Sequence, residues 1–338
     1  MKMRSRGKVK PSPQGVAKPN SPERILQRLD WQVIRRLDGL LQGDYRSLFY
    51  GYGVDFADLR EYQPGDDIRY IDWNVTARMN TPYIRQYMED REITAWFLVD
   101  LSPSMDFGTD SVEKRSVLID LVATLARLLT RHGNRVGAII FNGQEAENGS
   151  NGSGRRKDRV LPARSGRNHV LQLIHELTKQ PRLPKSPLTN LNAILTSGLL
   201  SIKRRSLVFI LSDFISAPGW ERTLNLLAHN HEVLAIRLWD PREIELPDAG
   251  PLWMEDAETG EQLYVDTSDR KFRAQFAQAV QQRENGLKAS FQHAGVEPWS
   301  LSTHEDLVRA ILRYSAVRKQ LHRLNRSAHS NAMAGTAR

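Results

Sequence analysis

The sequence of 338 residues contains no cysteine. It therefore has no means of forming a disulfide, a zinc–thiolate centre or a cysteine nucleophile. Long apolar runs are missing too, because no stretch approaches the roughly 18 uninterrupted apolar residues of a membrane-spanning helix. The basic start of the chain lacks the apolar core that follows it in a secretory signal. Together these absences predict a cytoplasmic protein that does not span a membrane.

Common enzyme signatures are also absent. The sequence has no Gly-x4-Gly-Lys-Ser/Thr phosphate loop, no Gly-x-Ser-x-Gly elbow and no His-Glu-x2-His helix. The sequence thus predicts a protein without catalytic activity and without a small-molecule substrate.

Acidic residues are scarce at the start of the chain, where six lysines and arginines precede the first acid, Glu23. Much of the net charge of +9 therefore lies near the N-terminus. We predict that residues 1–20 and 326–338 are disordered tails. A solvated basic tail is the simplest interpretation, with weak contact with anionic lipid as an alternative. Nucleic-acid binding through the tails and the basic cluster at 155–159 is another.

What the sequence does contain is an alternation of short apolar runs with amphipathic stretches of helical period. The apolar runs lie at 93–99, 135–141, 206–212 and 232–239. Repeated β-α units of this kind predict an α/β fold with a doubly wound, mostly parallel sheet. This domain is expected to cover residues 92–325 with a hairpin insertion near 252–265. An N-terminal helix and an extended arm, rich in aromatic and charged residues, are predicted for 21–91.

The most informative stretch follows the first apolar run. There the polarity changes abruptly to Asp100, Ser102 and Ser104, at alternate positions of a turn. The run at 206–212 is likewise followed by Asp213, and Thr189 precedes a predicted helix. Ligands of open α/β sheets bind outside the carboxyl ends of the strands, where these residues should meet. Carboxylate and hydroxyl oxygens suit a hard divalent ion such as Mg²⁺ or Mn²⁺.

This pattern resembles the von Willebrand factor A domain and its metal-ion-dependent adhesion site. In that family Asp-x-Ser-x-Ser, a distant Thr and a distant Asp hold Mg²⁺. The resemblance implies that the metal ligands here are Asp100, Ser102, Ser104, Thr189 and Asp213. It also implies an open coordination position that accepts a carboxylate from a partner protein. The sequence departs from the family in reading Thr189-Asn190-Leu191 where Thr-Asp-Leu is typical.

The predicted arm carries a second and more specific family resemblance. Residues 56–69, Ile71-Asp72-Trp73-Asn74 and Thr76-Ala77-Arg78, followed by the Asp100 motif, resemble the DUF58 family. Members of that family are typically encoded beside MoxR-type AAA+ ATPases and are thought to act with them. The resemblance implies a metal-dependent, protein-binding adaptor that works with such an ATPase in remodelling or maturing client proteins. The clients would carry an acidic ligand residue.

A different function remains open for the same residues. Asp100 and Asp213 could form the carboxylate pair of a metal-dependent hydrolase. No base or nucleophile lies at a recognisable spacing from them, so the adaptor hypothesis is preferred.

Overall fold

A computed structural model describes residues 21–41, 58–79, 81–86, 93–109, 112–142, 158–183, 190–255 and 261–318. At its centre lies a six-stranded sheet. Its strands are β3 (Thr94–Asp100), β6 (Arg135–Phe141), β7 (Arg159–Arg164), β8 (Leu207–Ser212), β9 (Glu232–Trp239) and β12 (Trp299–Ser302). They lie side by side in the order β12-β9-β8-β3-β6-β7. All neighbours pair in parallel except β7, which is antiparallel to β6. The predicted doubly wound, mostly parallel α/β fold is confirmed.

Helices cover both faces of this sheet because its inner strands are apolar on both sides. Along β3, Phe97 and Val99 join one hydrophobic cluster, whereas Leu98 between them joins the other. The first cluster is covered by α1 (Pro22–Leu29), α4 (Lys114–Arg131), α5 (Arg167–Lys179) and α9 (residues 307–318). The second is covered by α6 (Leu191–Ser201), α7 (Glu221–Asn230) and α8 (Arg270–Ala294).

The N-terminal helix belongs to the same core as the sheet. Ser21 caps α1 by accepting a hydrogen bond from the backbone N–H of Arg24, as expected for a serine before a first-turn proline. A π-helical segment, Asp30–Ile34, then leads into α2 (Arg35–Leu41). Leu26 and Leu37 are fully buried in the first cluster. The predicted helix therefore packs on the main domain.

The described part of the predicted arm forms small elements of secondary structure. They are β1 (Asp58–Glu61), a 3₁₀ turn (Ile68–Tyr70), α3 (Trp73–Met79) and β2 (Tyr83–Gln86), with β1 and β2 antiparallel. The remaining described strands are β4 (Gly108–Thr109), β5 (Val112–Glu113) and the hairpin of β10 (Pro251–Glu255) with β11 (Gln262–Asp266). The hairpin lies where the insertion near 252–265 was predicted. The two predicted tails, 1–20 and 326–338, lie outside the described residues.

Strand β7 is the one strand of the central sheet that was not predicted from the sequence. Its segment carries arginines at both ends and Pro162 in the middle. A proline is tolerated in a sheet only at an edge, and β7 is the edge strand beside β6. Among the helices of the described segments, none combines the length and apolar character needed to cross a membrane.

Candidate functional site

The two aspartates predicted from the sequence lie at the same edge of the sheet. Strands β3 and β8 are parallel neighbours, with Val99 in register with Leu211. Asp100 is the last residue of β3, and Asp213 directly follows the end of β8. Both carboxylates are 1% exposed, so the sheet brings two acidic groups together almost completely out of water.

The turn after β3 places the two predicted serines beside Asp100. The backbone N–H of Ser102 donates to Asp100 Oδ1 over 3.0 Å, and a 3₁₀ turn (Pro103–Asp106) follows. Ser102 Oγ and Ser104 Oγ lie 3.2 Å apart, within hydrogen-bonding distance. Both serines are buried. Asp100, Ser102 and Ser104 therefore form one buried group of oxygen atoms.

Ser212 joins the two halves of the site. Its hydroxyl group donates to Asp100 Oδ2 over 2.7 Å and accepts from the backbone N–H of Phe214 over 3.0 Å. Ser212 was not among the site residues predicted from the sequence. Its position, last on a buried strand and next to Asp213, was the available signal.

Lys114 and Glu243 are the other two residues that sequence reasoning missed. Lys114 Nζ lies 2.8 Å from Asp213 Oδ2 and 2.6 Å from Glu243 Oε1. The lysine side chain is fully buried and that of Glu243 is 14% exposed. Lysine and glutamate are almost never buried in this way unless they are paired, so their types alone gave no reason to place them here.

The electrostatics of the site are unfavourable for two ionised carboxylates. Burial, and next the neighbouring Asp213 carboxylate, raise the pKa of Asp100 to about 6, although hydrogen bonds from Ser212 and Ser102 oppose the shift. For Lys114, burial lowers the pKa, but the carboxylates of Asp213 and Glu243 outweigh it and hold the pKa above its ordinary value. At neutral pH the lysine is therefore charged, and Asp100 carries its charge at a cost.

The chain after Asp213 is held in an unusual conformation. Phe214 has φ of 60°, in the left-handed region that bulky residues rarely enter. Its ring packs against Trp220 and Phe291, with ring centroids 5.5 and 4.8 Å away. The backbone N–H of Ile215 donates to Asp213 Oδ1 over 3.0 Å. Aromatic packing and this hydrogen bond together fix the direction of the Asp213 side chain.

Thr189, the remaining predicted ligand, lies outside the described residues. The helix that follows it is described, with Asn190 at its N-cap position. The backbone N–H of Leu191 donates to Ser216 Oγ over 2.9 Å, which ties the start of α6 to the loop after Asp213. The assignment of Thr189 as a ligand stays a prediction.

The donor set fits a hard divalent ion. Asp100, Ser102, Ser104 and Asp213 offer only carboxylate and hydroxyl oxygens, which Mg²⁺ and Mn²⁺ accept. Within the described ranges, no group of three or more His, Cys, Asp or Glu side chains is placed to hold a metal ion. Binding of an ion would therefore depend on the serine hydroxyls, which makes Ser102 and Ser104 as important as the acids.

The sequence of this chain matches a known protein family. The family described as "Protein of unknown function DUF58" matches residues 58–286. The chain belongs to the DUF58 family. Asp100, Ser102, Ser104 and Asp213 all lie within the matched range.

Similar proteins are themselves described as uncharacterized. The DUF58 chain is 36% identical over 295 residues to the uncharacterized protein Rv1480 of Mycobacterium tuberculosis, covering 87% of this chain and 89% of that protein. The uncharacterized protein Mb1516 of Mycobacterium bovis gives the same values. Among solved structures, the conserved hypothetical protein BatB from Bacteroides thetaiotaomicron is 13% identical with a TM-score of 0.42, covering 68% of this chain and 99% of that one. That likeness is too weak to support an argument about function.

Proposed function

We propose that this DUF58 protein is a non-catalytic adaptor that binds partner proteins through a divalent metal ion, Mg²⁺ or Mn²⁺. The ligands would be Asp100, Ser102, Ser104 and Asp213, with Thr189 as the fifth. The observation that carries the proposal is the buried group of carboxylate and hydroxyl oxygens where β3 and β8 end. Two acidic groups with 1% exposure destabilise each other, and a bound cation would remove that cost.

The proposed partners rest on two resemblances of this chain, one to the von Willebrand factor A domain and one to other members of the DUF58 family. An open coordination position on the ion would accept an aspartate or glutamate of a client protein, forming a charge-assisted bond. A MoxR-type AAA+ ATPase would act with the adaptor and supply the energy for remodelling or maturing the client.

The first experiment measures metal binding by the full chain. Isothermal titration with Mg²⁺ and Mn²⁺ should give one site, and Asp100→Asn should abolish it. Asp248, an exposed aspartate that pairs with Arg273 on the surface, provides the matched control, because Asp248→Asn should leave the affinity unchanged. Equal metal affinity in the wild type and in Asp100→Asn would disprove the proposed coordination.

The second experiment tests the partner. A purified MoxR-type ATPase from the same organism is passed over immobilised wild-type, Asp100→Asn and Asp248→Asn proteins with Mg²⁺ present throughout. The metal is kept constant because an ATPase needs Mg²⁺ for its own nucleotide. Retention by the wild type and the control, with loss on Asp100→Asn, is expected. Retention that is equal on all three proteins would show that the site does not mediate this interaction.

A further inference from the structure

A fully buried lysine contacts the proposed metal site. Lys114 Nζ bridges Asp213 Oδ2 and Glu243 Oε1 at 2.8 and 2.6 Å, and the side chain of Lys114 has no exposed surface. The ring centroid of Phe107 lies 6.0 Å from the same nitrogen. The ammonium group therefore lies between two carboxylates, one of which is a proposed metal ligand.

This position is unfavourable for a lysine on its own. Lys114 is the first residue of α4, and the N-terminus of a helix carries partial positive charge, which repels a cation. Burial of an ammonium group adds a further large cost unless it is paired. The two carboxylates compensate for both effects, so the lysine and the acids form one electrostatic unit.

The local fold holds Lys114 in place. The short ladder between β4 and β5 returns the chain to the turn at Pro103–Asp106, and the backbone N–H of Lys114 donates to the carbonyl oxygen of Phe107 over 2.9 Å. A Cβ atom at Gly108 would lie 2.2 Å from the carbonyl oxygen of Val112, so only glycine fits there. The backbone thus brings the lysine back beside the turn that carries Ser102 and Ser104.

We propose that the ammonium group of Lys114 competes with the metal ion for Asp213. It pairs with the Asp213 carboxylate when no metal is bound, and it thereby weakens metal binding. This inference rests on the proposed function and describes how the same site is regulated. Both carboxylate oxygens of Asp213 already have partners, since Oδ1 accepts from Ile215 and Oδ2 from Lys114. A metal ion that binds Asp213 must displace the ammonium group from Oδ2. The positive charge of Lys114 also repels the ion.

The charges of the cluster set the consequence for partner binding. Asp100, Asp213 and Glu243 carry three negative charges when ionised, and Lys114 carries one positive charge, which leaves a net charge of −2. A divalent ion brings the net charge of this cluster to zero. Without the lysine, the same ion would bind to a cluster with three negative charges. The carboxylate of a partner protein would add one negative charge, which makes up for the charge that Lys114 offsets. Metal and acidic partner therefore bind cooperatively, each raising the affinity of the other.

The test is the Mg²⁺ affinity of the full chain, measured by isothermal titration without any partner. Lys114→Met keeps an unbranched side chain, one atom shorter, and removes its charge, and it should bind Mg²⁺ about tenfold or more tightly than the wild type. Lys114→Arg keeps the charge and should bind no more tightly than the wild type. Lys179→Met, at an exposed lysine of α5, is the control for a simple loss of positive charge and should match the wild type.

A second variant keeps the inference testable if Lys114→Met fails to fold. Glu243→Gln replaces one of the two carboxylates beside the ammonium group by a neutral amide. The ammonium group should then pair more strongly with Asp213, and the cluster loses one negative charge, so Mg²⁺ binding should weaken. Equal or tighter binding by Glu243→Gln, or an unchanged affinity in Lys114→Met, would overturn the inference and leave the proposed metal site intact. Failure of the wild type and of every folded variant to bind Mg²⁺ or Mn²⁺ would overturn the proposed function as well.

Discussion

Replacing Asp100 by asparagine should stabilise the metal-free protein at neutral pH, although it removes a residue proposed to be essential. The carboxylate accepts hydrogen bonds from the backbone N–H of Ser102 and from the Ser212 hydroxyl, but it is buried beside Asp213. The pKa of Asp100 is consequently about 6 in the folded protein, whereas an aspartate in an unfolded chain has a pKa of about 3.9.

The size of the effect follows from this difference in pKa. Between pH ~3.9 and ~6 the folded state retains a proton that the unfolded state has lost, so stability falls as the pH rises through this window. Above pH ~6 the full penalty of about 3 kcal/mol is present, and below pH ~3.9 it is absent. The asparagine amide does not titrate. It alters the hydrogen bond with Ser212 at a cost of about 1 kcal/mol, so the net gain at neutral pH should be about 2 kcal/mol.

Urea denaturation of the full chain in the presence of EDTA measures this gain. The free energy of unfolding of Asp100→Asn should exceed that of the wild type by about 2 kcal/mol at pH 7.5. The advantage should disappear toward pH 4. Added Mg²⁺ should then raise the stability of the wild type and leave that of the variant unchanged, because only a ligand that binds the folded state stabilises it.

Two results would refute the reasoning. One is a variant that is less stable than the wild type at pH 7.5 without metal, since burial would then not penalise the Asp100 carboxylate. The other is a difference between the two proteins that does not change with pH. The exposed control Asp248→Asn should stay within about 0.5 kcal/mol of the wild type under all these conditions.

The remaining predictions concern the surroundings of the site. Ser212→Ala removes the donor to Asp100 and should lower the free energy of unfolding by about 1–3 kcal/mol in urea; an unchanged value would mean that the hydrogen bond carries no net stability. Gly137→Ala would place a Cβ atom 2.9 Å from the ring of Trp96, and we expect a loss of about 1–3 kcal/mol by overpacking, also measured in urea. Deletion of residues 1–20 should leave Mg²⁺ affinity unchanged, and it should weaken binding to a DNA duplex at low salt if the basic tail makes that contact. Equal DNA binding with and without the tail would exclude it.

The sequence was sufficient for the fold and for most of the site because the relevant signals are local. The central strands are continuous apolar runs, which buried parallel strands require, and a polar residue after such a run has to lie at the carboxyl edge. Asp100, Ser102, Ser104 and Asp213 could all be placed by this rule. Their proximity in the structure follows from the pairing of β3 with β8.

The residues that sequence reasoning missed depend on contacts between distant segments. Lys114 and Glu243 are 129 positions apart. Lys114 is the first residue of α4, and Glu243 forms a capping box with Asp240 just after β9, a local role that gave no reason to place its carboxylate beside Lys114. A charged residue in either segment would ordinarily be placed on the surface. The short β4–β5 ladder that returns Lys114 to the site is also too brief to leave a pattern.

The pairing of β3 with β8 also has a consequence for the order of folding. Asp100 and its hydrogen-bond partner Ser212 are 112 residues apart in the chain, and parallel pairings across such separations are intrinsically slow to form. The proposed metal site can form only after β3 and β8 have paired. A chain that binds the proposed ion would therefore already have completed the slowest pairing of its central sheet. Recovery of Mg²⁺ binding during refolding should follow the recovery of the central sheet and never precede it.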